Sequence, residues 1–491
     1  MQKHISLLYT DGMSVGKSNS SILDAVYNLN IDRMARHACD NKKLTDYFLS
    51  VLCAPAKSPE TAIYRSEILR DFIENEELLA GLMQLFRSYD NLRAETEEMT
   101  KEIFRYGVPA SEIGMLDCTY EELYINAHFA RNVIAYFSEI YDLFSGHDVR
   151  SRGLEEMKSF CNSMKESKCI EEIEKAAERF RSESTEGYRF TVECSLDEAM
   201  EAYRCTVSDI ADASKQEKKG FKAIFKKRPE VPTEVDIGSS ASDNACSAVT
   251  MALSDLSSLF SDIALEIYAV FFGIGEELGF YYVACEIAKK LKKAGMTYVF
   301  PEVLPKEDDV LTASGIYDML LLTEGKDFDS IVPNDISVDK NGILAMGDNN
   351  CGKTSFLRAV GSAVLFAQSG MFVCADSMRV SMRTGIFSHF SSAEKDFSSG
   401  DAAGRFEGEV ADIAKIVDEL TPYSLVLLNE SFQTTAYREG AEGMKAILDV
   451  LPNINVKYIF VTHMKAIFSL IDEDEVTVLK ADKFKLLPWG K

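Results

Sequence analysis

Gly347-Asp348-Asn349-Asn350-Cys351-Gly352-Lys353-Thr354 carries the spacing G-x-x-x-x-G-K-[ST]. That pattern suits phosphate chemistry. The glycines let the backbone curl so that N–H groups converge on phosphate oxygens, and a helix opening just beyond adds its positive end. Lys353 can reach the β- and γ-phosphates of a nucleotide, and Thr354 can offer a hydroxyl to Mg²⁺. Gly347, Asn349, Asn350, Cys351, Gly352, Lys353, Thr354 and Ser355 are therefore candidate nucleotide-binding residues. The apolar runs Ile343–Met346 and Phe356–Val360 predict the strand–loop–helix context that the motif needs. A chance match in a glycine-bearing loop is the competing reading.

A strand-end carboxylate is the second signal. Ser424-Leu425-Val426-Leu427-Leu428-Asn429-Glu430 is an apolar run closed by two polar residues. Beside a phosphate loop, Asn429 would help Thr354 hold Mg²⁺, and Glu430 would orient an attacking water or accept its proton. A strand end holds such a carboxylate rigidly. Taken alone, the run also reads as a buried strand capped by a turn. The third signal is Tyr458-Ile459-Phe460-Val461-Thr462-His463. An imidazole at that strand end could bond or sense the γ-phosphate; as a lone feature it reads more readily as a structural histidine.

These groups need a frame. From about residue 306, short apolar runs alternate with helical patterns, as in an α/β domain. Upstream the chain reads as mainly helical. Residues 41–53 place Leu44, Tyr47, Phe48 and Val51 at helical spacing until Pro55 and Pro59. Residues 62–87 continue the pattern, and 119–144 predict another long helix. Residues 187–193 alternate apolar and polar side chains as a half-buried strand does, with 202–207 as its partner. A basic cluster follows: Lys215, Lys218, Lys219, Lys222, Lys226, Lys227 and Arg228. Residues 245–293 return to helix. Two helical arms around a strand-bearing insert suggest a lever with something at its tip; plain coiled-coil packing is the other reading. The predicted domains are a helical core and lever at 1–160, a clamp-like insert at 161–244, returning lever helices at 245–305, and an α/β nucleotide domain at 306–491.

The chain's 491 residues exceed what one core serves, so two to four domains are expected. A net charge of −25 repels nucleic acid and anionic lipid over most of the surface. Nucleic acid would have to meet a local basic patch; the charge also serves solubility. No run approaches the roughly 20 apolar residues of a membrane span. The start, Met1 to Ser6, lacks a signal-peptide apolar stretch. No membrane partner is expected. Eleven cysteines without a C-x-x-C pair suit a reducing cytoplasm better than a disulfide framework or a zinc site.

The order G-x-N-x-x-G-K-[ST]-x-x-L-R, then L-V-L-L-x-E-S, then T-H resembles the MutS family of ATPases. The resemblance extends to Ile331-Val332-Pro333-Asn334-Asp335 and to Gly361 through Ala375. Further upstream it takes in Tyr298 through Glu302 and residues 61–72, including Tyr64 through Asp71. It implies a C-terminal α/β P-loop (ABC-like) ATPase domain behind a mainly α lever with a small β-containing clamp. It also implies ATP and Mg²⁺ as ligands, slow hydrolysis, a homodimer through the ATPase domains, and DNA between the levers. Lys218, Lys219, Lys222, Lys226, Lys227 and Arg228 are the candidate DNA contacts; a solvated charged linker is the other reading of that segment.

Two departures stand out. The family usually has Asp where this chain has Asn429, which keeps an oxygen for a metal-bound water but loses a charge. Gly404-Arg405-Phe406 stands where the family's Ser-Thr-Phe reaches across the dimer to the partner's γ-phosphate. Arg405 is thus either a trans-acting catalytic cation or an exposed Arg beginning a helix. Thr434-Thr435 and Glu439-Gly440 resemble the loop that meets the partner subunit. No mismatch-reading domain or connector is expected, as in the shorter MutS-like proteins of bacteria. Two rival readings keep the architecture: a ribosome- or RNA-remodelling ATPase, and an ATP-gated dimeric scaffold without a nucleic-acid ligand.

Overall fold

The computed structural model describes residues 4–10, 20–103, 105, 107, 109, 111–181, 188–196, 202–212, 239–324, 330–391, 402–432 and 437–488. Eight helices come first: α1 (Ser20–Asn28), α2 (Ile31–Ala38), α3 (Lys42–Cys53), α4 (Pro59–Glu74), α5 (Glu76–Ile103), α6 (Glu112–Phe144), α7 (Arg152–Lys165) and α8 (Lys168–Ala177). Strands β1 (Tyr188–Leu196) and β2 (Ala202–Asp212) precede α9 (Ser239–Val270) and α10 (Ile274–Lys293). The remainder is β3 (Glu302–Leu304), β4 (Leu311–Ile316), β5 (Asn334–Ser337), β6 (Gly342–Met346), α11 (Lys353–Gln368), β7 (Ser377–Ser381), β8 (Ile386–Phe390) and α12 (Ala402–Glu419). It ends with β9 (Leu425–Asn429), α13 (Tyr437–Val450), β10 (Lys457–Thr462), α14 (Lys465–Phe468), β11 (Val476–Asp482) and β12 (Lys485–Pro488).

Local chemistry sets many of these ends. The Asn41 side chain accepts from Leu44 N at the start of α3. Ser58 does the same for Thr61 N, with Pro59 at the first position of α4. Pro59 therefore starts a helix rather than merely interrupting one. The helical pattern over 62–87 is not continuous: Asn75 caps α4, donating its N–H to Asp71 O, and α5 begins anew. The helix expected over 245–293 is likewise broken at residues 271–273, where Gly273 takes a φ of 86°.

Two compact units divide the chain. The first comprises Met1–Ile5, Gly81–His147 and Glu156–Gly275; the second comprises Ser6–Ala80, Asp148–Glu155 and Glu276–Lys491. Residues 6–80, assigned from sequence to a helical core, thus share a unit with the C-terminal sheets.

In the first unit α6 packs along α9. Buried Asn126 donates to Ser257 Oγ at 2.9 Å, and Tyr89 stacks on Tyr268 with ring centroids 5.0 Å apart. β1 and β2 form an antiparallel pair and continue the expected strands 187–193 and 202–207 by several residues. The lysine-rich segment, Lys215 through Arg228, lies outside the described residues. By composition and length alone, a window within residues 243–293 would suit a membrane crossing, with a mean hydropathy of 1.5 and 28% of it buried. The window is not an unbroken apolar run, because serines and acidic residues interrupt it. Within the first unit, Leu253, Phe260 and Ala264 of α9 are buried.

The second unit holds a six-stranded sheet in the order β12-β11-β6-β10-β9-β8 and a four-stranded sheet in the order β3-β7-β4-β5. Strands β8, β9, β10, β6 and β11 run parallel, and β12 is antiparallel to β11. Central parallel strands are covered on both faces, so they read as unbroken apolar runs; β6, β8 and β9 are buried at every position. Leu344, Val426, Leu428 and Phe460 join Met444 and Leu448 of α13 in one core. The Leu427 side chain instead lies against α11 at Gly361. Helix α1 covers the edge strand β8, where Asn28 Nδ2 donates to Ser388 Oγ at 3.0 Å.

Candidate functional site

Three neighbouring parallel strands end at one place. The carboxyl end of β6 runs into loop 347–352, that of β10 into His463, and that of β9 into Glu430. Register pairs Thr462 with Met346 and Val461 with Asn429, so the three ends lie side by side. Ligands of open parallel sheets gather at such carboxyl ends, where helix N-termini and turn backbone converge.

The loop then opens α11. Gly352 adopts a φ of 94°, a left-handed conformation that suits glycine, and no side chain caps the helix. A glycine at that position cannot cap the first turn with its own side chain, which suits a helix end that receives a phosphate. A Cβ on Gly347 would lie 2.8 Å from Cys351 Sγ and 2.9 Å from Ala481 O, so the tight curl also needs glycine there.

Lys353 is buried. Its Nζ donates to Gly347 O at 2.8 Å and to Asp348 O at 2.9 Å, and lies 3.5 Å from Glu430 Oε1. Thr354 Oγ1 donates to Asn429 Oδ1 at 3.1 Å. Asn429 itself is fully buried. These two side-chain oxygens suit a hard cation that takes its remaining ligands from phosphate and water, as Mg²⁺ does.

Glu430 has a φ of 53°. Its N–H donates to Val461 O at 2.9 Å. Its Oε2 accepts from the His463 backbone N–H at 3.1 Å and lies 3.0 Å from His463 Nδ1. The structure therefore brings Lys353, Thr354, Asn429, Glu430 and His463 together. Asn349 and His463 share a cavity with Asp348 and Lys465. Asn350 takes a left-handed φ of 62° within the loop, Cys351 Sγ donates to Asp348 O at 2.8 Å, and Ser355 faces a second cavity. Arg405 is in α12, but its side chain lies outside the described residues, as do Thr434 and Thr435.

That second cavity opens beside Gly352 and Ser355. Ile331, Val332, Asn334, Phe356 and Phe484 line it. Asn334 fastens its wall, donating to Phe484 O at 3.0 Å and accepting from Leu486 N at 2.7 Å. Phe484 was not anticipated; it sits in the turn between β11 and β12, distant from any motif. Lys465 was also missed, although a cation two residues past a strand-end histidine was a usable signal.

A buried polar layer behind Glu430 escaped sequence reasoning as well. His389 Nδ1 lies 2.7 Å from Ser431 Oγ. Glu409, buried on α12, accepts from Ser391 Oγ at 2.5 Å and from Phe432 N at 2.9 Å. Phe432, like Glu430, has a positive φ, here 63°.

This fold and site define an α/β domain with polar and charged side chains gathered at the carboxyl ends of adjacent parallel strands. Residues 343–484 match the family model described as MutS domain V, the C-terminal ATPase domain of MutS proteins, so this part of the chain is similar to that domain. The match takes in the loop, β9, β10 and Phe484. Over 125 residues the chain is 38% identical to the DNA mismatch repair protein MSH3 of Pyricularia oryzae, covering 25% of this chain and 11% of that protein. Over 145 residues it is 36% identical to the DNA mismatch repair protein MutS of Pseudothermotoga lettingae, covering 29% and 18%. A mitochondrial mutS homologue of Sarcophyton glaucum is 30% identical over 141 residues, covering 29% and 14%. The chain thus spans less than a fifth of the length of these relatives.

Proposed function

We propose that the C-terminal domain binds ATP with Mg²⁺ and hydrolyses it in a homodimer, and that this cycle opens and closes a clamp on DNA. The observation that carries the reading is the convergence of Lys353, Thr354, Asn429, Glu430 and His463 at adjacent strand ends. Loop 347–352 and the first turn of α11 hold the phosphate tail as a phosphate-binding loop, and the cavity bounded by Ile331, Val332 and Phe484 takes the base. Lys353 neutralises charge on the β- and γ-phosphates. Thr354 and Asn429 hold Mg²⁺, which when bound offsets the phosphate charge that grows in the transition state.

Glu430 orients the attacking water and draws its proton. His463 fixes the Glu430 carboxylate from one side, and Lys353 faces its other oxygen. In the dimer, Arg405 of each subunit completes the other's site. The DNA part of the reading draws on the relatives, which are named as DNA mismatch repair proteins. Within this chain it rests on Lys218, Lys219, Lys222, Lys226, Lys227 and Arg228, a basic run that offers an acidic protein a grip on a phosphate backbone. We place the protein in the cytoplasm.

Mixed dimers test the reading. Lys353→Ala alone should weaken ATP binding at least tenfold, about 1.4 kcal/mol. Arg405→Ala alone should bind ATP and turn it over slowly. Mixed together, they form heterodimers in which one site keeps both its loop and its partner's Arg405, so part of the activity should return. Absence of any recovery, with heterodimers detected, would remove the trans role of Arg405. Salt-sensitive retention of duplex DNA by the ATP-bound dimer should accompany this; retention of ribosomes instead would replace DNA as the ligand.

A further inference from the structure

We propose that Cys194 and Cys205 form a reversible disulfide, an oxidation site on the β1–β2 hairpin whose oxidant is a small-molecule disulfide. The site stands apart from the nucleotide chemistry and does not rest on it.

The register of the antiparallel pair sets Cys194 directly opposite Cys205. Directly opposed residues project from the same face of a hairpin, with Cα atoms about 4.5 or 5.5 Å apart according to the type of pair. Both separations fall within the range that disulfides span, about 4.4–6.8 Å. The two sulfurs are already 2.8 Å apart. Closing to a bond needs a further approach of less than about 1 Å, because S–S bonds are about 2.05 Å long. Backbone geometry and side-chain direction therefore both favour closure.

Access favours it too. Cys194 is exposed and Cys205 half-buried, whereas Cys39, Cys53, Cys161, Cys285 and Cys374 are buried. A bound metal is a poorer account of the pair. Among the described residues no group of three or more His, Cys, Asp or Glu is placed to hold one, and two thiolates do not fill a tetrahedral site.

The hydrogen bond with Cys194 holds the Cys205 thiol above its ordinary range. Cys194, the more accessible sulfur, attacks first. Its thiolate displaces one thiolate from the oxidant and forms a mixed disulfide. Cys205, on losing its proton, then attacks Cys194 Sγ and expels the second thiolate. Two cysteine thiols are oxidised by two electrons, one oxidant disulfide is reduced to two thiols, and the protons pass to the released thiolates. The product ties the two strands of the hairpin together.

The sequence offers a direct readout. Trypsin cuts after Arg189, Arg204 and Lys215, leaving Cys194 in peptide 190–204 and Cys205 in peptide 205–215. The reduced full-length chain is incubated at graded ratios of oxidised to reduced glutathione, quenched with N-ethylmaleimide, digested and weighed. We expect the two peptides to appear cross-linked, lighter by two hydrogens than their sum, and to separate on adding dithiothreitol. Cys194→Ser should abolish the cross-link and leave a glutathione adduct on Cys205. Two separate adducts without a cross-link in the wild-type chain would overturn the proposal. So would full maleimide labelling of both peptides at the most oxidising ratio.

Discussion

His463 grips one oxygen of Glu430 with two of its own atoms: the backbone N–H at 3.1 Å and ring Nδ1 at 3.0 Å from Oε2. The other oxygen, Oε1, faces Lys353 Nζ at 3.5 Å. A carboxylate held on both sides keeps its direction without the help of substrate, which is what a group that must aim a water requires.

Glu430→Gln should therefore keep ATP binding within a few-fold of wild type and slow hydrolysis by about 10²–10⁴. The amide still accepts from the His463 N–H but draws no proton. Equilibrium nucleotide binding and single-turnover rates on the same preparation check this. Hydrolysis at the wild-type rate would remove Glu430 from the catalytic role.

Asn429→Asp restores a charge beside Thr354. Half-saturating Mg²⁺ for turnover should fall several-fold. Because the position is fully buried, an unpaired Asp there is costly. The variant should melt below wild type in chelator and regain that loss when Mg²⁺ and nucleotide are added. A Mg²⁺ titration superimposable on wild type would mean that residue 429 does not face the metal.

Glu409 tests the buried layer behind the site. Glu409→Ala strands the Phe432 N–H and the Ser391 hydroxyl, each buried, at a cost of about 1–3 kcal/mol per group. Glu409→Gln keeps an oxygen for Phe432 N and should lose less. If the layer holds the positive-φ turn that carries Glu430, turnover should fall in both variants in that order, with ATP affinity unchanged. Denaturant midpoints and kcat measured in parallel separate the two effects; equal turnover in all three proteins would make Glu409 purely structural.

Glu277 sets a pH dependence of stability. Burial pushes its carboxyl up from an ordinary 4.5 to about 7, against the opposing pull of hydrogen bonds from Ser6 Oγ and Leu7 N and of the Arg65 charge. The folded state therefore binds a proton that the unfolded state has already released between pH 4.5 and 7. Stability falls as pH rises through that window, by roughly 3 kcal/mol from this group. Glu277→Gln can keep the pattern, with its oxygen on Leu7 N and its nitrogen on Ser6 Oγ. Its stability relative to wild type should be higher at pH 8 than at pH 5. Parallel urea curves for the two proteins would sink the assignment.

What the sequence determined was local. A glycine-spaced loop between apolar runs encodes its own curl, and apolar runs ending in Asn429-Glu430 or His463 encode buried strands with polar ends. Reading these as one candidate nucleotide site was possible because each motif carries its chemistry within a few residues. Interruptions that depend on caps, such as Asn75 and Gly273, were less legible, since the hydrophobic period runs straight through them.

The tertiary structure decided everything that depends on pairing across long stretches of chain. The strand order that sets β9 beside β10 and β10 beside β6 is not written in any spacing. Neither is the meeting of Phe484 with Gly352. His389, Glu409 and Ser431 were invisible because a buried hydrogen bond is a property of two distant residues and of the packing that excludes water from both. The Cys194–Cys205 pair has the same cause: only the register of two strands, set by their side chains and by the bulges between them, brings those sulfurs into contact.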